Sequence, residues 1–236
     1  MATALLPDWQ LSIPPGDGSL AWFRRWAQSA DFPDRWRIDF IQGQIEVDMV
    51  PEDFYCHGTL KTHLTGKLAQ IIEDENLGDL VCDRSRVSSP NANFSAEPDL
   101  VFVSLAAYSE GRVVLVPKAN REAGRFIEIE GAPDLIIEIV SDSSEAKDYE
   151  RLPAAYGLAG VREYWLVDAR GETLMFQIQE LHGDRLEPVG ITADGWQNSK
   201  VLQRDFRLER LPDNVRPWRF KLHVRKSEIS PPIPRD

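Results

Sequence analysis

Apolar positions along the chain switch between helical and extended spacing, and the switches mark out a mixed α/β order. After Pro14-Pro15-Gly16, the residues Leu20, Phe23, Trp26 and Ala27 recur at helical spacing and predict a short helix packed on a core. In WRIDFIQGQIEVDM the apolar positions alternate on both sides of Gln42-Gly43, which predicts a hairpin closed by a tight turn. From Phe54 to Asn76 a helical period returns at Leu60, Leu64, Leu68, Ile71 and Ile72. Gly78 stands just past the end, where a left-handed cap belongs.

Three strand-like runs follow: DLVCDRSRV, PDLVFVS and PDLIIEIV. The last two are almost continuously apolar, as expected of central strands covered on both faces. Residues 105–131, rich in charge and glycine, read as an inserted loop or peripheral hairpin. The polar SDSSEAKDYE reads as a turn, and PAAYGLAG as a short helix with Pro153 in its first turn and Gly160 at its end. REYWLVDA is a further buried strand, ETLMFQIQELHGDRLEPVG a hairpin extending the sheet, and SPPIPRD a disordered Pro-rich tail. The partition is an N-terminal extension (1–35), a core (36–190) and a C-terminal extension (191–236) that is basic, then Pro-rich.

Composition narrows the picture. A chain of 236 residues with 42% hydrophobic content supports one elaborated domain. No run reaches the roughly 18 apolar residues that span a bilayer, and MATALLPDWQL lacks the basic and apolar regions of a secretion signal, so a cytoplasmic protein with no membrane partner is expected. Cys56 and Cys82 make neither a disulfide framework nor a zinc motif and are expected as buried, reduced thiols. The net charge of −11 argues against a protein that coats nucleic acid, though not against a nuclease with a local basic track. Residues 204–226 hold Arg216, Trp218, Arg219, Lys221, Arg225 and Lys226. They read either as a solvated extension packed by its aromatics or as an aromatic among cations suited to a nucleic-acid strand.

The candidate chemistry rests on two acids inside apolar runs: Asp99 in EPDLVFVS and Glu138 in PDLIIEIVS. A carboxylate in a central strand costs several kcal/mol if charged and unpaired, so it neutralises, finds a cation or binds a metal. If the two strands pair, both acids can share one hard cation such as Mg²⁺. A structural reading stays open beside this one: Asp99 caps a turn after Pro98, and Glu138 pairs with a core arginine such as Arg84 or Arg86.

The words IDFIQGQIEV, His57 ahead of a helix, EPDLVFVS, PDLIIEIVSDSS and AGVREYWLVDARG after Tyr156 resemble, in order, the Uma-two family of restriction endonucleases. That family is similar in fold to the PD-(D/E)xK nucleases. The resemblance implies a restriction-endonuclease-like αβββαβ core with a mixed central sheet. It also implies that Asp99 and Glu138 bind Mg²⁺ or Mn²⁺ with the Ile139 carbonyl as a third ligand, that DNA is the substrate, and that a homodimer is plausible. The expected lysine is missing: Val140 stands where the PD-(D/E)xK pattern has it, two residues after Glu138, and Leu152 where this family usually carries it instead, four residues before Tyr156. Lys147 and Arg151, on the same polar segment, are the candidate substitute catalytic cations, the arginine as a charge stabiliser rather than a base. A relative that has kept the fold but lost catalysis, and binds nucleic acid or a partner protein, is the alternative that Leu152 raises. His57 reads as a proton shuttle or a helix cap, Asp142 and Ser141 as outer-sphere groups or an ordinary turn, Asp39 as an added ligand or an edge charge, and Tyr156 and Trp165 as core aromatics.

Overall fold

The computed structural model describes residues 11–33, 36–48, 50–118 and 123–227, so the expected disordered tail SPPIPRD lies outside the described residues. The predicted N-terminal helix is α1 (Leu20–Ala27), capped by the Ser19 hydroxyl, and the hairpin is β1 (Arg37–Ile41) and β2 (Gln44–Asp48) around Gln42 and Gly43. The long helical run begins with a π-helical turn (Phe54–Thr59) and continues as α2 (Leu60–Asp74). Its left-handed residue is Asn76 (φ 50°), two positions before the expected Gly78. Next come β3 (Gly78–Cys82), β4 (Arg86–Ser89), β5 (Phe94–Ala96), β6 (Leu100–Ser104), the single turn α3 (Leu105–Ser109), β7 (Val113–Pro117), β8 (Phe126–Gly131) and β9 (Leu135–Ile139). A second π-helical turn (Lys147–Arg151) leads into α4 (Leu152–Ala159), which carries Pro153 in its first turn and ends on left-handed Gly160, as its sequence predicts. The chain closes with β10 (Glu163–Asp168), β11 (Met175–His182), β12 (Arg185–Pro188), β13 (Gln197–Ser199), β14 (Arg204–Leu211) and β15 (Arg219–Lys226).

These elements form a mixed α/β fold. The apolar runs make a six-stranded sheet in the order β12-β11-β10-β9-β6-β3, in which only β9 and β10 are parallel. Both faces are covered, which explains why these strands read as continuous apolar runs. On one face Leu100, Phe102, Ile137, Ile139 and Trp165 pack against Leu64 and Leu68 of α2 and against Phe206 and Leu222 of the small sheet β13-β14-β15. On the other, Val101, Val103, Ile136 and Val140 pack against Leu152 and Tyr156 of α4 and against the second six-stranded sheet, β2-β1-β5-β4-β8-β7. The strand period of two then decides where the acids go. Glu138 shares its face with Ile136 and Val140, and Asp99 with Val101 and Val103.

Several local expectations are corrected. DLVCDRSRV is not one strand: the chain turns at Asp83 and Arg84, both left-handed, and passes from β3 in the first sheet to β4 in the second. Of the two readings of residues 105–131 the hairpin holds and the inserted loop does not: β7 and β8 pair antiparallel at the edge of the second sheet, where β8 joins β4 in parallel. Cys56 is half-buried and Cys82 exposed; β3 is the edge strand of its sheet, so its thiol meets solvent. No described helix is long and apolar enough to cross a membrane.

Candidate metal centre

The antiparallel register of β6 and β9 pairs Leu100 with Ile137, and one step outward this brings Asp99 opposite Glu138. The strands themselves complete the arrangement. The Ile139 N–H donates to Asp99 Oδ2 at 2.7 Å, and the Asp99 N–H donates to Glu138 Oε2 at 3.3 Å. The Tyr156 hydroxyl, from α4, donates to Glu138 Oε1 at 2.8 Å. Both carboxylates are buried. The first cation on the pair is Arg37 of β1, whose Nη2 lies 2.9 Å from Glu138 Oε2 and whose Nη1 lies 3.5 Å from Asp99 Oδ1. Neither Arg84 nor Arg86 takes that place: Arg86 pairs with Glu97 instead.

Around this pair the structure gathers a wider set of charges. Lys61, in the first turn of α2, places Nζ 3.3 Å from Asp99 Oδ1, 3.1 Å from Glu52 and 2.7 Å from Asp83. His57, on the π-helical turn, brings Nε2 to 3.3 Å from Asp99 Oδ2 and Nδ1 to 3.0 Å from Glu52 Oε2, the latter without hydrogen-bond alignment. Behind them Asp39 is buried, accepts the Glu97 N–H at 2.9 Å and pairs with Lys147 Nζ at 2.9 Å. Of the two candidate substitute cations, Lys147 is buried and its field reaches Glu138, whereas Arg151 faces outward and pairs with Glu46 of β2. Trp165 is a core aromatic, Tyr156 both core and acid-bonded, and Ser141 and Asp142 line the same cleft as Asp99.

The titrations follow from this packing. Burial alone would raise the Asp99 carboxyl, but His57, Arg37 and Lys61 outweigh it and hold the group well below the usual carboxylate range. Glu138 goes the other way, pushed up by burial and then by Asp99 against the pull of Arg37 and Lys147. One ionised and one raised carboxylate is the expected outcome for two acids sharing a site. Burial would lower the His57 imidazole, yet Asp99 and Glu52 raise it to about 9. Asp148, beside Lys147, is pushed up to about 8 by burial and by Glu138.

The donor set suits a hard divalent ion. Asp99 Oδ1 and Glu138 Oε2 both turn to a single guanidinium, so the space between them already favours positive charge. Glu52, His57 and Asp99 also present one ligand atom each, all within 4.8 Å of one another. Asp99 lines a cavity of about 850 Å³ whose walls mix the cations Arg37, Lys61, Arg84 and Arg170 with acids such as Glu52, Asp83 and Glu97, while Glu138 lies behind it. Arg37, Lys61 and Glu52 escape a reading of sequence, because β1 and the start of α2 meet the acids only through the tertiary fold. The one hint in the sequence is the placement of His57 directly ahead of a helix.

The fold is a mixed α/β one whose central sheet sets two buried acids side by side, one of them, Asp99, lining a cleft of mixed charge. A solved structure with this fold, described as a putative nuclease belonging to DUF820 from Anabaena variabilis, matches with a TM-score of 0.52 at 17% identity, covering 70% of this chain and 82% of that one. The chain belongs to the Uma2 family, described as "Putative restriction endonuclease", whose sequence model matches residues 21–210. No curated protein matches it.

Proposed function

We propose that the chain is a divalent-metal-dependent nuclease that hydrolyses DNA phosphodiester bonds. The observation that carries this reading is the juxtaposition of the buried Asp99 and Glu138 under one guanidinium, with Asp99 and that arginine, Arg37, both lining a cleft that also holds Lys61, Arg84 and Arg170 among its acids. Asp99 and Glu138 would hold Mg²⁺ or Mn²⁺ with the Ile139 carbonyl as a third donor, and a metal so bound supplies Lewis-acid charge stabilisation and an activated water. The protein's own side chains then do the positioning. Lys61, Arg84 and Arg170 stand on the cleft wall where phosphates of a substrate would lie. Tyr156 fixes one Glu138 oxygen, leaving the other to face the cation. Lys147 supplies fixed positive charge behind the acids, the role for which Arg151, paired with Glu46, is less well placed. The N–H of Ile139 keeps Asp99 in one rotamer, so the site needs little reorganisation during reaction.

The test is cleavage of single- and double-stranded DNA with Mg²⁺ or Mn²⁺ by the wild type, Asp99→Ala and Glu138→Ala. Cleavage by the wild type alone supports the proposal; equal activity in all three removes it. A second reading, a nucleic-acid-binding relative without catalysis, draws on Leu152, which is fully buried among Val87, Phe94 and Tyr156 where the family resemblance places a lysine. Retained DNA binding with no cleavage under any metal favours that reading.

A further inference from the structure

The π-helical turn that carries His57 has two sides. Asp53, Cys56 and His57 line the acid-bearing cleft, while Phe54, Tyr55 and Thr59 line a separate groove of about 400 Å³ with His63, Trp218 and Arg219. This groove is built against the basic segment of the C-terminal extension. Phe54 is 72% exposed, with its ring edge-on to Tyr55 at 5.0 Å between centroids. Tyr55 in turn meets Trp218 at 6.0 Å, and the Arg210 guanidinium lies 5.0 Å from the Trp218 ring. Arg216 lines the same groove, paired with Asp213 at 2.8 Å, and Arg219 makes no ion pair among the described residues. The turn holds its shape without help from a ligand, because Asp53 Oδ1 accepts the Tyr55 N–H at 2.8 Å and the Asp53 carbonyl accepts the Gly58 N–H at 2.9 Å.

A large ring left in water forfeits the burial that would stabilise it, so an exposed Phe beside other aromatics and cations marks a surface that meets something flat and anionic. The chain carries a net charge of −11, which makes a local cationic rim a specific feature rather than a general one. Unpaired bases stack on aromatic rings while the backbone tracks positive charge, whereas a duplex hides its base faces. From this we infer that the groove is a stacking subsite for single-stranded nucleic acid, in which Phe54 and Tyr55 stack a base and Arg219 and Arg216 contact phosphate. Resting on the nuclease reading for its adjacent cleft, it makes the substrate class an unpaired strand or a single-stranded end crossing the turn from the acids to the groove.

Binding is measured by fluorescence anisotropy in EDTA, so that no cleavage is required. The probes are a labelled oligothymidylate of about 16 nucleotides and a duplex of equal length. Phe54→Ala, at an exposed position where truncation leaves the core intact, weakens oligothymidylate binding about tenfold and leaves duplex binding unchanged. Phe54→Trp retains single-strand affinity, whereas Phe54→Leu, apolar but without a π face, behaves as Phe54→Ala. The inference is overturned if the wild type does not bind oligothymidylate, if Phe54→Ala binds it as the wild type does, or if single strand and duplex weaken by the same factor. Cleavage with no Phe54 effect removes the groove and spares the nuclease reading. The Phe54 pattern without cleavage does the reverse.

Discussion

The backbone N–H of Asp99 donates to Glu138 Oε2 at 3.3 Å, so the pairing of β6 and β9 sets the two acids side by side and main-chain donors fix their carboxylates. A site made this way is assembled by the fold itself. Its like charges must therefore be compensated by the protein itself, and Arg37 is the group that spans both.

Arg37 and a bound divalent ion would compete for the same carboxylate oxygens. Arg37→Ala should lower the metal-free melting temperature, since breaking a buried ion pair by removing one partner costs about 3–5 kcal/mol. It should also enlarge the rise in melting temperature produced by Mn²⁺, because the ligand then no longer competes with a guanidinium for those oxygens. Thermal scans of the wild type, Arg37→Ala and Asp99→Ala with and without Mn²⁺ check this. A metal shift in Asp99→Ala equal to that of the wild type would count against the metal centre.

His57 ties the site to pH. Its folded-state pKa, about 9, lies above the ordinary imidazole value of 6.5, so protonation stabilises the fold. This contribution is fully present below pH ~6.5 and is lost as pH rises through about 9, a change on the order of 3 kcal/mol. The metal-free wild type should lose stability across that window, and His57→Gln should flatten the curve. Denaturant melts at intervals of pH measure it, and identical slopes for the two proteins would sink the assignment.

The strands, the hairpins and the acid pair were legible because each leaves a periodic trace: Asp99 and Glu138 stand out as charges in apolar runs. The corner at Asp83 and Arg84 left none, since both adopt left-handed backbone without the glycine that usually signals it. Arg37 and Lys61 look like ordinary surface cations in sequence. Only the fold of β1 and α2 onto the end of β6 turns them toward Asp99. Sequence leaves His57 open between a proton shuttle and a helix cap, and Asp39 between an added ligand and an edge charge; both prove buried with charged partners. What sequence could not supply is the contact between distant segments.

Glu163 provides a titration remote from the acid pair. Burial pushes its carboxyl up to about 7 against the hydrogen bonds of Ser199 and of the Trp165 indole, the latter at 2.6 Å. A raised carboxyl favours the protonated fold, so its contribution is complete below pH ~4.5 and is lost as pH rises through about 7. Glu163→Gln, which resembles the neutral form, should reduce the fall in stability between those values while leaving cleavage activity unchanged. An unaltered pH profile would show that Glu163 stays ionised throughout.

Lys147 is the remaining test of catalysis, because the position that resembles the family's lysine holds Leu152. Lys147 pairs with Asp39 at 2.9 Å, so its loss removes both a cation beside the acids and the partner of a buried carboxylate. The two effects separate in a double variant. Lys147→Met should destabilise the fold, and Lys147→Met with Asp39→Asn should recover most of that stability, since replacing both members of a buried pair costs far less than breaking it. If Lys147 acts only through packing, the double variant also recovers DNA cleavage. If it stabilises charge in the transition state, cleavage stays down by about 10²–10³ in the double variant, the usual loss on removing a preorganised donor. Adding Leu152→Lys to the double variant should then restore part of the rate. Residue 152 lies one turn before Tyr156 on the same helix face, and the Tyr156 hydroxyl already reaches Glu138. The restoration should be incomplete, because residue 152 is fully buried among apolar side chains and an ammonium there is costly to desolvate. Full activity in Lys147→Met itself would remove this residue from the mechanism.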